Sequence, residues 1–126
     1  MLQRFGLAFA VSIALAANAL PVYAQDATEF YDGRTLTLVL SSAVGGGYDA
    51  MSRILAQHLS RHLPGNPTIV VQNMPGAGGI SATNYLYAIA PKDGSVIGGV
   101  QNNTPFEPLF GTAQARYDAT QFQWLG

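Results

Sequence analysis

The feature that most constrains the fold is an alternation of short apolar runs, polar loops and helical segments. The apolar runs TLTLVL (residues 35–40), TIVVQ (68–72) and SVIGGV (95–100) each have the length of one strand. The segments between them, 49–63 and 80–90, have the apolar spacing of helices. This βαβαβ order predicts an α/β fold, in which helices cross over a parallel sheet.

The patterns also predict details of these elements. Asp49 is the expected N-cap of the first helix, because its carboxylate can accept hydrogen bonds from free first-turn amides. The apolar residues of that helix form one stripe, as on a helix face that packs on a core: Met51, Ile54, Leu55, Leu59 and Leu63. The second helix has three apolar residues near one face: Ile80, Leu86 and Ile89. Residues 122–125 are predicted to begin a further strand.

The N-terminus has the pattern of a secretory signal peptide. An uncharged apolar stretch, Phe5–Leu20, is followed by small residues, Val22 and Ala24, that suit a cleavage site. The alternative is a membrane anchor, but the stretch is shorter than the ~20 apolar residues that a span needs. We therefore expect a signal peptide at residues 1–24 and one domain at residues 25–126.

Composition narrows the classes of function. The chain has 126 residues, no cysteine and a formal net charge of −1. Without thiols, disulfides, zinc–thiolate sites and cysteine nucleophiles are excluded, and an exported protein without disulfides fits a bacterial periplasm. The charge offers no basic surface for nucleic acid.

Polar or glycine-rich loops follow all three predicted strands, at residues 41–48, 73–79 and 101–105. Ligands of parallel α/β sheets bind outside the carboxyl ends of the strands, which share one edge. We therefore expect the three loops to lie together at that edge and to form the binding site.

The first loop, SSAVGGGYD, suits an anion. Gly45–Gly47 allow close approach of the backbone to a ligand, and the free amides of the following helix point toward it. Ser41 and Ser42 add hydroxyl donors. The alternative is a turn that only makes room for strand–helix packing. Asp49 could cap the helix, contact a ligand, or do both, and Tyr48 could flank the ligand or pack on a neighbouring loop.

The second loop, NMPGAGG, repeats this chemistry. Pro75 stiffens the loop, while Gly76, Gly78 and Gly79 open its backbone ahead of the second helix. Two helix N-termini at one cleft suit an anion better than one.

The third loop is polar rather than glycine-rich. Asn102, Asn103 and Thr104 offer amides and a hydroxyl for selective, uncharged hydrogen bonds. An ordinary polar loop is the alternative.

Nucleotide binding and catalysis have little support. No Lys-Ser/Thr pair follows the first glycine loop, and Gly45 and Gly47 are followed by Ala50 where the dinucleotide pattern has its third glycine. An acidic ribose partner is also missing about 20 residues later. His58 and His62 have a metal-compatible spacing without a third ligand nearby, so surface histidines are the favoured interpretation. The sequence predicts no catalytic residue, no metal site and no cofactor.

Four motifs occur in order along the chain, and the ordered set is far more specific for a family than any one of them: GGGYD, PTIVVQNMPGAGG, APKDG and YDATQFQWLG. From about residue 30 to residue 126 the chain resembles the substrate-binding receptors of tripartite tricarboxylate transporters, the Bug or TctC family. The resemblance implies the first lobe of a type 2 periplasmic binding protein fold, with the second lobe absent, since members are about twice as long or more. It also implies a periplasmic, non-enzymatic receptor that captures a small carboxylate for the membrane subunits of a transporter.

Carried onto this sequence, the resemblance implies ligand contacts from the first two loops and, more loosely, from the third. Met74 stands where members commonly have an arginine, which removes a positive charge. A nucleotide-cofactor enzyme fragment and a nonfunctional truncated remnant are the alternative hypotheses. The implied contacts are Ser41, Ser42, Ala43, Gly45, Gly46, Gly47, Asp49, Pro75, Gly76, Ala77, Gly78, Gly79, Ser81, Asn102 and Thr104.

Overall fold

The computed structural model describes residues 26–126, so the predicted signal peptide lies outside the described residues. Four 3₁₀ turns accompany the regular elements, at Ser60–His62, Ala77–Gly79, Thr104–Phe106 and Ala119–Gln121. The helices and strands, in chain order, are α1 (Ala27–Tyr31), β1 (Thr35–Leu40), α2 (Gly47–Leu59), β2 (Thr68–Asn73), α3 (Ile80–Ala88) and β3 (Val96–Gly99).

The three strands form one parallel sheet in the order β2-β1-β3. At the carboxyl end of β1, Leu40 stands opposite Asn73 of β2 and Gly99 of β3. The predicted α/β class, parallel sheet and shared loop edge are therefore confirmed, with the observed strands differing from the predicted ones by one residue at some ends.

The two longer helices cover opposite faces of the sheet. Val39 packs against Ala82 and Leu86 of α3, whereas Leu40 packs with Ala56 of α2. Successive residues of β1 point to opposite faces, so this strand contributes to both cores. The result is a helix–sheet–helix arrangement, as parallel strands buried on both faces require.

The start of α2 differs from the prediction. The helix begins at Gly47 with Gly46 as its N-cap, so Asp49 is the third helical residue and the predicted N-cap is wrong. The carboxylate of Asp49 instead reaches back to the amide of Gly45. The regular helix ends at Leu59, and the remaining predicted residues continue as the 3₁₀ turn Ser60–His62.

The predicted apolar stripe of α2 does not face the sheet. Met51, Ile54 and Leu55 are 70%, 53% and 50% exposed, while the buried residues of the helix are Asp49 and Ala56. A small alanine lets the helix approach the sheet closely, and hydrogen bonds offset the cost of burying the aspartate. The helix therefore presents the first part of its apolar stripe to solvent, while Leu59 and Leu63 are half-buried.

The C-terminal half of the chain differs from the prediction in two further places. α3 ends at Ala88, and Ile89 leaves helical geometry with φ −123°, which leaves it 72% exposed instead of on the predicted apolar face. The predicted strand at residues 122–125 is absent. Phe122 instead packs edge-on against Tyr87 of α3 and against Trp124, at centroid distances of 5.8 and 5.5 Å, so aromatic packing replaces sheet pairing.

No helix within residues 26–126 has both the length and the apolar character to cross a membrane.

Two truncations test which apolar residues form the core. Leu40→Ala should lower the free energy of unfolding by about 2–5 kcal/mol, because it removes a fully buried side chain. Met51→Ala should change it by less than about 0.5 kcal/mol, because the side chain is solvent-exposed. Urea titration followed by circular dichroism measures both values. Equal losses would mean that the stripe of α2 is packed in solution.

Candidate functional site

The pairing of β1 with both neighbours brings the three loops to one edge of the sheet. The Ser41 amide donates to the Gly99 carbonyl at 3.0 Å, and the Met74 amide donates to the Leu40 carbonyl at 2.7 Å. These bonds continue both ladders past the strand ends. The chain departs from β1 toward β2 and later returns to the other side of β1, so β1 and β3 flank a topological switch point, where α/β proteins bind ligands.

The first loop is a tight turn into α2. Gly45 has φ +86°, a left-handed conformation that favours glycine, and Gly46 is extended at the N-cap. Helix geometry leaves the first-turn amides, including those of Gly47 and Tyr48, without an intrahelical acceptor. Tyr48 is exposed beside them. The loop therefore presents backbone donors at a helix N-terminus, as predicted.

Asp49, Arg53 and Asn73 form a hydrogen-bonded unit, here named the Asp49 clamp. The Asn73 Nδ2 donates to Asp49 Oδ1 at 2.9 Å and to the Ser42 carbonyl at 3.0 Å. Arg53 donates from Nε to Asp49 Oδ2 and from Nη2 to Asn73 Oδ1, both at 3.0 Å. Asp49 Oδ2 also accepts from the Gly45 amide at 2.9 Å. The clamp thus joins the first loop to the end of β2.

The clamp holds Asp49 in its ionised form. Hydrogen bonds from Arg53, then from the Gly45 amide and Asn73, hold the pKa of Asp49 well below its usual range, against the opposing effect of burial. The same hydrogen bond raises the pKa of Arg53. Both carboxylate oxygens already accept from the chain itself, so Asp49 shapes the loop through contacts that the sequence did not reveal.

Gly79 allows the first and third loops to approach its backbone closely. It has φ +97°, and a Cβ placed there would stand 3.2 Å from the Cβ and Oγ of Ser41 and 3.6 Å from the Cδ of Gln101. Only a residue without a side chain fits both the backbone conformation and the contact. Ser41, Gly79 and Gln101 therefore converge, one from each loop.

The third loop is held by buried contacts. Thr104 is 0% exposed, and its carbonyl accepts from the Tyr117 hydroxyl at 2.7 Å. Glu107 accepts from Asn103 Nδ2 and from Thr112 Oγ1, each at 2.7 Å. Burial, and secondarily the charge of Glu107, raises the pKa of Tyr117, which keeps its hydroxyl a donor. These bonds position Thr104 beneath the edge of the sheet.

Three buried hydroxyls at this edge have no hydrogen-bond partner within residues 26–126: those of Ser41, Ser42 and Thr104. Ser41 is only 2% exposed. Buried polar atoms in proteins are nearly always hydrogen-bonded, because an unmade bond costs free energy. All three residues were predicted site residues.

The other predicted contacts have different surroundings. Ser81 donates its backbone amide to the Gly76 carbonyl at 3.5 Å, so this amide is already engaged. Asn102 is exposed, whereas its neighbour Gln101 lies beside Ser41 and Gly79. Most of the remaining predicted contacts line the exposed rim of the loops: Ala43, Gly46, Gly47, Pro75, Gly76, Ala77 and Gly78.

Four residues that organise this edge were not among the predicted contacts. Arg53 lies four residues after Asp49, which is the spacing of an ion pair on a helix. This signal was present in the sequence. Asn73 and Gln101 are polar residues at or just after strand ends, and could have been found by that position. Tyr117 lies 13 residues from its partner Thr104, and no local pattern indicates that contact.

Residues 26–126 contain no group of three or more His, Cys, Asp or Glu side chains arranged to hold a metal ion. His58 lies on α2 and His62 on the 3₁₀ turn that follows it, and both residues are exposed.

The Asp49 clamp predicts a specific pH dependence. Because the folded-state pKa of Asp49 is depressed, its contribution to stability is complete above the unfolded-state pKa, near 3.8, and is lost as the pH falls toward the folded-state value. Asp49→Asn should lower stability at neutral pH and flatten the loss of stability below about pH 4. Urea unfolding at a series of pH values measures this. Parallel curves for the two proteins would contradict the assignment.

Tyr117→Phe tests the support of the third loop. The change keeps the ring but leaves the buried Thr104 carbonyl without its donor, so the free energy of unfolding should fall by about 1–3 kcal/mol. The matched control is Tyr48→Phe, whose ring is exposed and which should change stability by less than about 0.5 kcal/mol. Similar small effects for both variants would show that the Tyr117 hydroxyl does not hold the loop.

Comparisons with known proteins agree with the resemblance in the motifs, although no protein-family model matches the chain. The chain is 36% identical over 90 residues to a UPF0065 protein in the gbd 5′ region of Cupriavidus necator, covering 71% of this chain and 26% of that protein. It is 36% identical over 79 residues to the UPF0065 protein in the TAR-I ttuE-ttuC′ intergenic region of Agrobacterium vitis. The match covers 62% of this chain and 22% of that protein.

A third relative is Protein BugT of Bordetella pertussis, with 39% identity over 74 residues that cover 59% of this chain and 21% of BugT. The chain spans about a quarter of the length of the curated relatives it matches. The curated homologues of this chain are thus UPF0065 proteins and a Bug protein, at modest identity over part of their length.

Proposed function

We propose that this chain is the first lobe of a Bug-family solute-binding receptor that captures a small carboxylate in the periplasm. The similarity to UPF0065 proteins and BugT supports the family. The small parallel sheet, with all three loops at its carboxyl edge, supports a binding lobe.

The observation that carries the proposal is the set of buried hydroxyls without partners at Ser41, Ser42 and Thr104. A carboxylate has about four lone-pair sites and can accept from hydroxyls and backbone amides together. The first-turn amides of α2 lie in the segment that directly follows Ser41 and Ser42. In the proposed complex the ligand satisfies donors that the folded chain leaves unpaired.

The chemistry of the loops favours holding a ligand over transforming it. A general base must be within hydrogen-bond reach of the proton that it removes and have a suitable pKa. The carboxylate that lies next to the first loop is that of Asp49. It is ionised, and both of its oxygens accept hydrogen bonds within the clamp. The groups that remain for a ligand are hydroxyls, amides and backbone N–H groups, which bind without exchanging protons.

The remaining parts of the proposal concern the whole receptor. The relatives are about four times as long as their matched segment, which supports a second lobe that closes over the ligand. The signal-peptide pattern at residues 1–24 supports export to the periplasm. Delivery to the membrane subunits of a tripartite tricarboxylate-type transporter completes the proposed role.

A titration of the ¹⁵N-labelled chain tests carboxylate binding even when affinity is weak. Succinate, citrate and benzoate, added separately at millimolar concentration, should shift the amide resonances of Gly45–Gly47 and Gly76–Gly79. Ser41→Ala should weaken binding roughly 2- to 10-fold, the contribution of one neutral hydrogen bond. Ser95→Ala is the matched control, since Ser95 lies at the opposite end of β3 and should leave the affinity unchanged.

The carboxylate proposal fails if no acid shifts these resonances while a neutral sugar or a cation does. It also fails if Ser95→Ala weakens binding as much as Ser41→Ala, because a hydroxyl at the far edge of the sheet would then matter equally.

A further inference from the structure

A fixed negative charge lies at the helix N-terminus that is proposed to help hold the ligand. Asp49 is the third residue of α2 and is only 3% exposed. Its Oδ2 accepts from the Gly45 amide of the first loop at 2.9 Å. A carboxylate that approaches the first loop would be repelled by this charge if nothing compensated it.

Arg53 is the cation that compensates Asp49. Its Nε lies 3.0 Å from Asp49 Oδ2 and its Nη2 lies 2.9 Å from Asp49 Oδ1, so the guanidinium engages both carboxylate oxygens. The Arg53 side chain is 45% exposed. Replacing it with another long side chain therefore removes a charge without opening a cavity in the core.

The same clamp restrains the first loop at two points. The Gly45 amide donates to Asp49, and the Asn73 Nδ2 donates to the Ser42 carbonyl at 3.0 Å. Arg53 contacts both of the side chains that make these restraints, because its Nη2 also donates to Asn73 Oδ1 at 3.0 Å. Arg53 thus influences where the donors of the first loop lie.

The third loop carries a further carboxylate, that of Glu107, whose hydrogen-bond donors are neutral. Its Oε1 accepts from Asn103 Nδ2 and its Oε2 accepts from Thr112 Oγ1, each at 2.7 Å. Neutral donors bind a carboxylate without cancelling its charge. An uncompensated Asp49 would therefore add a second negative charge to the loops that are proposed to bind an anion. The compensation by Arg53 prevents this.

We infer that Arg53 is a positioning residue for carboxylate binding, which compensates the charge of Asp49 and restrains the first loop without contacting the ligand. The inference rests on the proposed carboxylate-binding function and adds the residue on which the tolerance of the first loop for an anion depends. Arg53 acts through Asp49 and Asn73, to which its guanidinium is bonded.

The test compares benzoate with benzamide, which share a ring and differ in charge, in NMR titrations of the ¹⁵N-labelled chain. Arg53→Met keeps a long side chain without its charge. It should lower the ratio of benzoate affinity to benzamide affinity roughly 3- to 10-fold, the effect of one uncompensated charge near a protein surface. A purely structural defect would weaken both ligands together and leave this ratio unchanged.

Three further variants serve as controls. Asp49→Asn combined with Arg53→Met removes both charges and should restore the ratio to near its wild-type value. Arg53→Lys keeps the positive charge and should retain most of the ratio. Arg61→Met removes one positive charge from the exposed 3₁₀ turn that follows α2, so it changes the net charge equally and should leave the ratio unchanged.

The possible failures are distinguishable. A wild-type chain that binds neither benzoate nor any other acid refutes the receptor proposal and this inference together. An unchanged ratio in Arg53→Met refutes the role of Arg53 and leaves carboxylate binding intact. A ratio that stays low in the double variant would mean that Arg53 contacts the ligand directly, and an equal loss in Arg61→Met would mean that net charge alone matters. Either result overturns the inference.

The double variant also decides the question if Arg53→Met does not fold. Direct contact between Arg53 and the ligand predicts that the double variant loses its preference for benzoate, whereas the inference predicts that it keeps a ratio near the wild-type value.

Discussion

The parallel pairing of β1 with both β2 and β3 is the constraint on which the rest of the structure depends. In this register Leu40 lies opposite Asn73 and Gly99, so all three strands end at one level. Segments about 30 and about 60 residues apart in sequence are thereby placed in hydrogen-bond contact, and Ser41 continues directly from the central strand. Because α2 and α3 cover opposite faces, the carboxyl edge lies between them, at the position where α/β proteins bind ligands.

The Asp49 clamp determines the electrostatic character of that edge. Asp49 is buried, and its charge is compensated by Arg53, Asn73 and the Gly45 amide within the fold. Among the polar groups that the clamp leaves at this edge are the neutral hydroxyls of Ser41, Ser42 and Thr104.

Much of the fold was predictable because periodicity and turn chemistry are local. The three strands, both long helices and the glycine loops follow from patterns of a few residues. The errors arose where a distant contact prevailed over a local pattern. Asp49 has the chemistry of an N-cap but is held as the third helical residue by the clamp, and Phe122 has strand propensity but packs on Tyr87 of α3.

The sequence by itself determined the class of fold, the edge at which the loops meet, and the residue types available there, because strand order along the chain and loop position follow from local patterns. Only the tertiary structure decided which of those residues converge. Gln101 joins Ser41 at Gly79 while Asn102 does not, and Met51 is exposed while Ala56 is buried. The reason is that lateral strand order, helix rotation and side-chain hydrogen bonding depend on contacts between residues that are far apart in the chain.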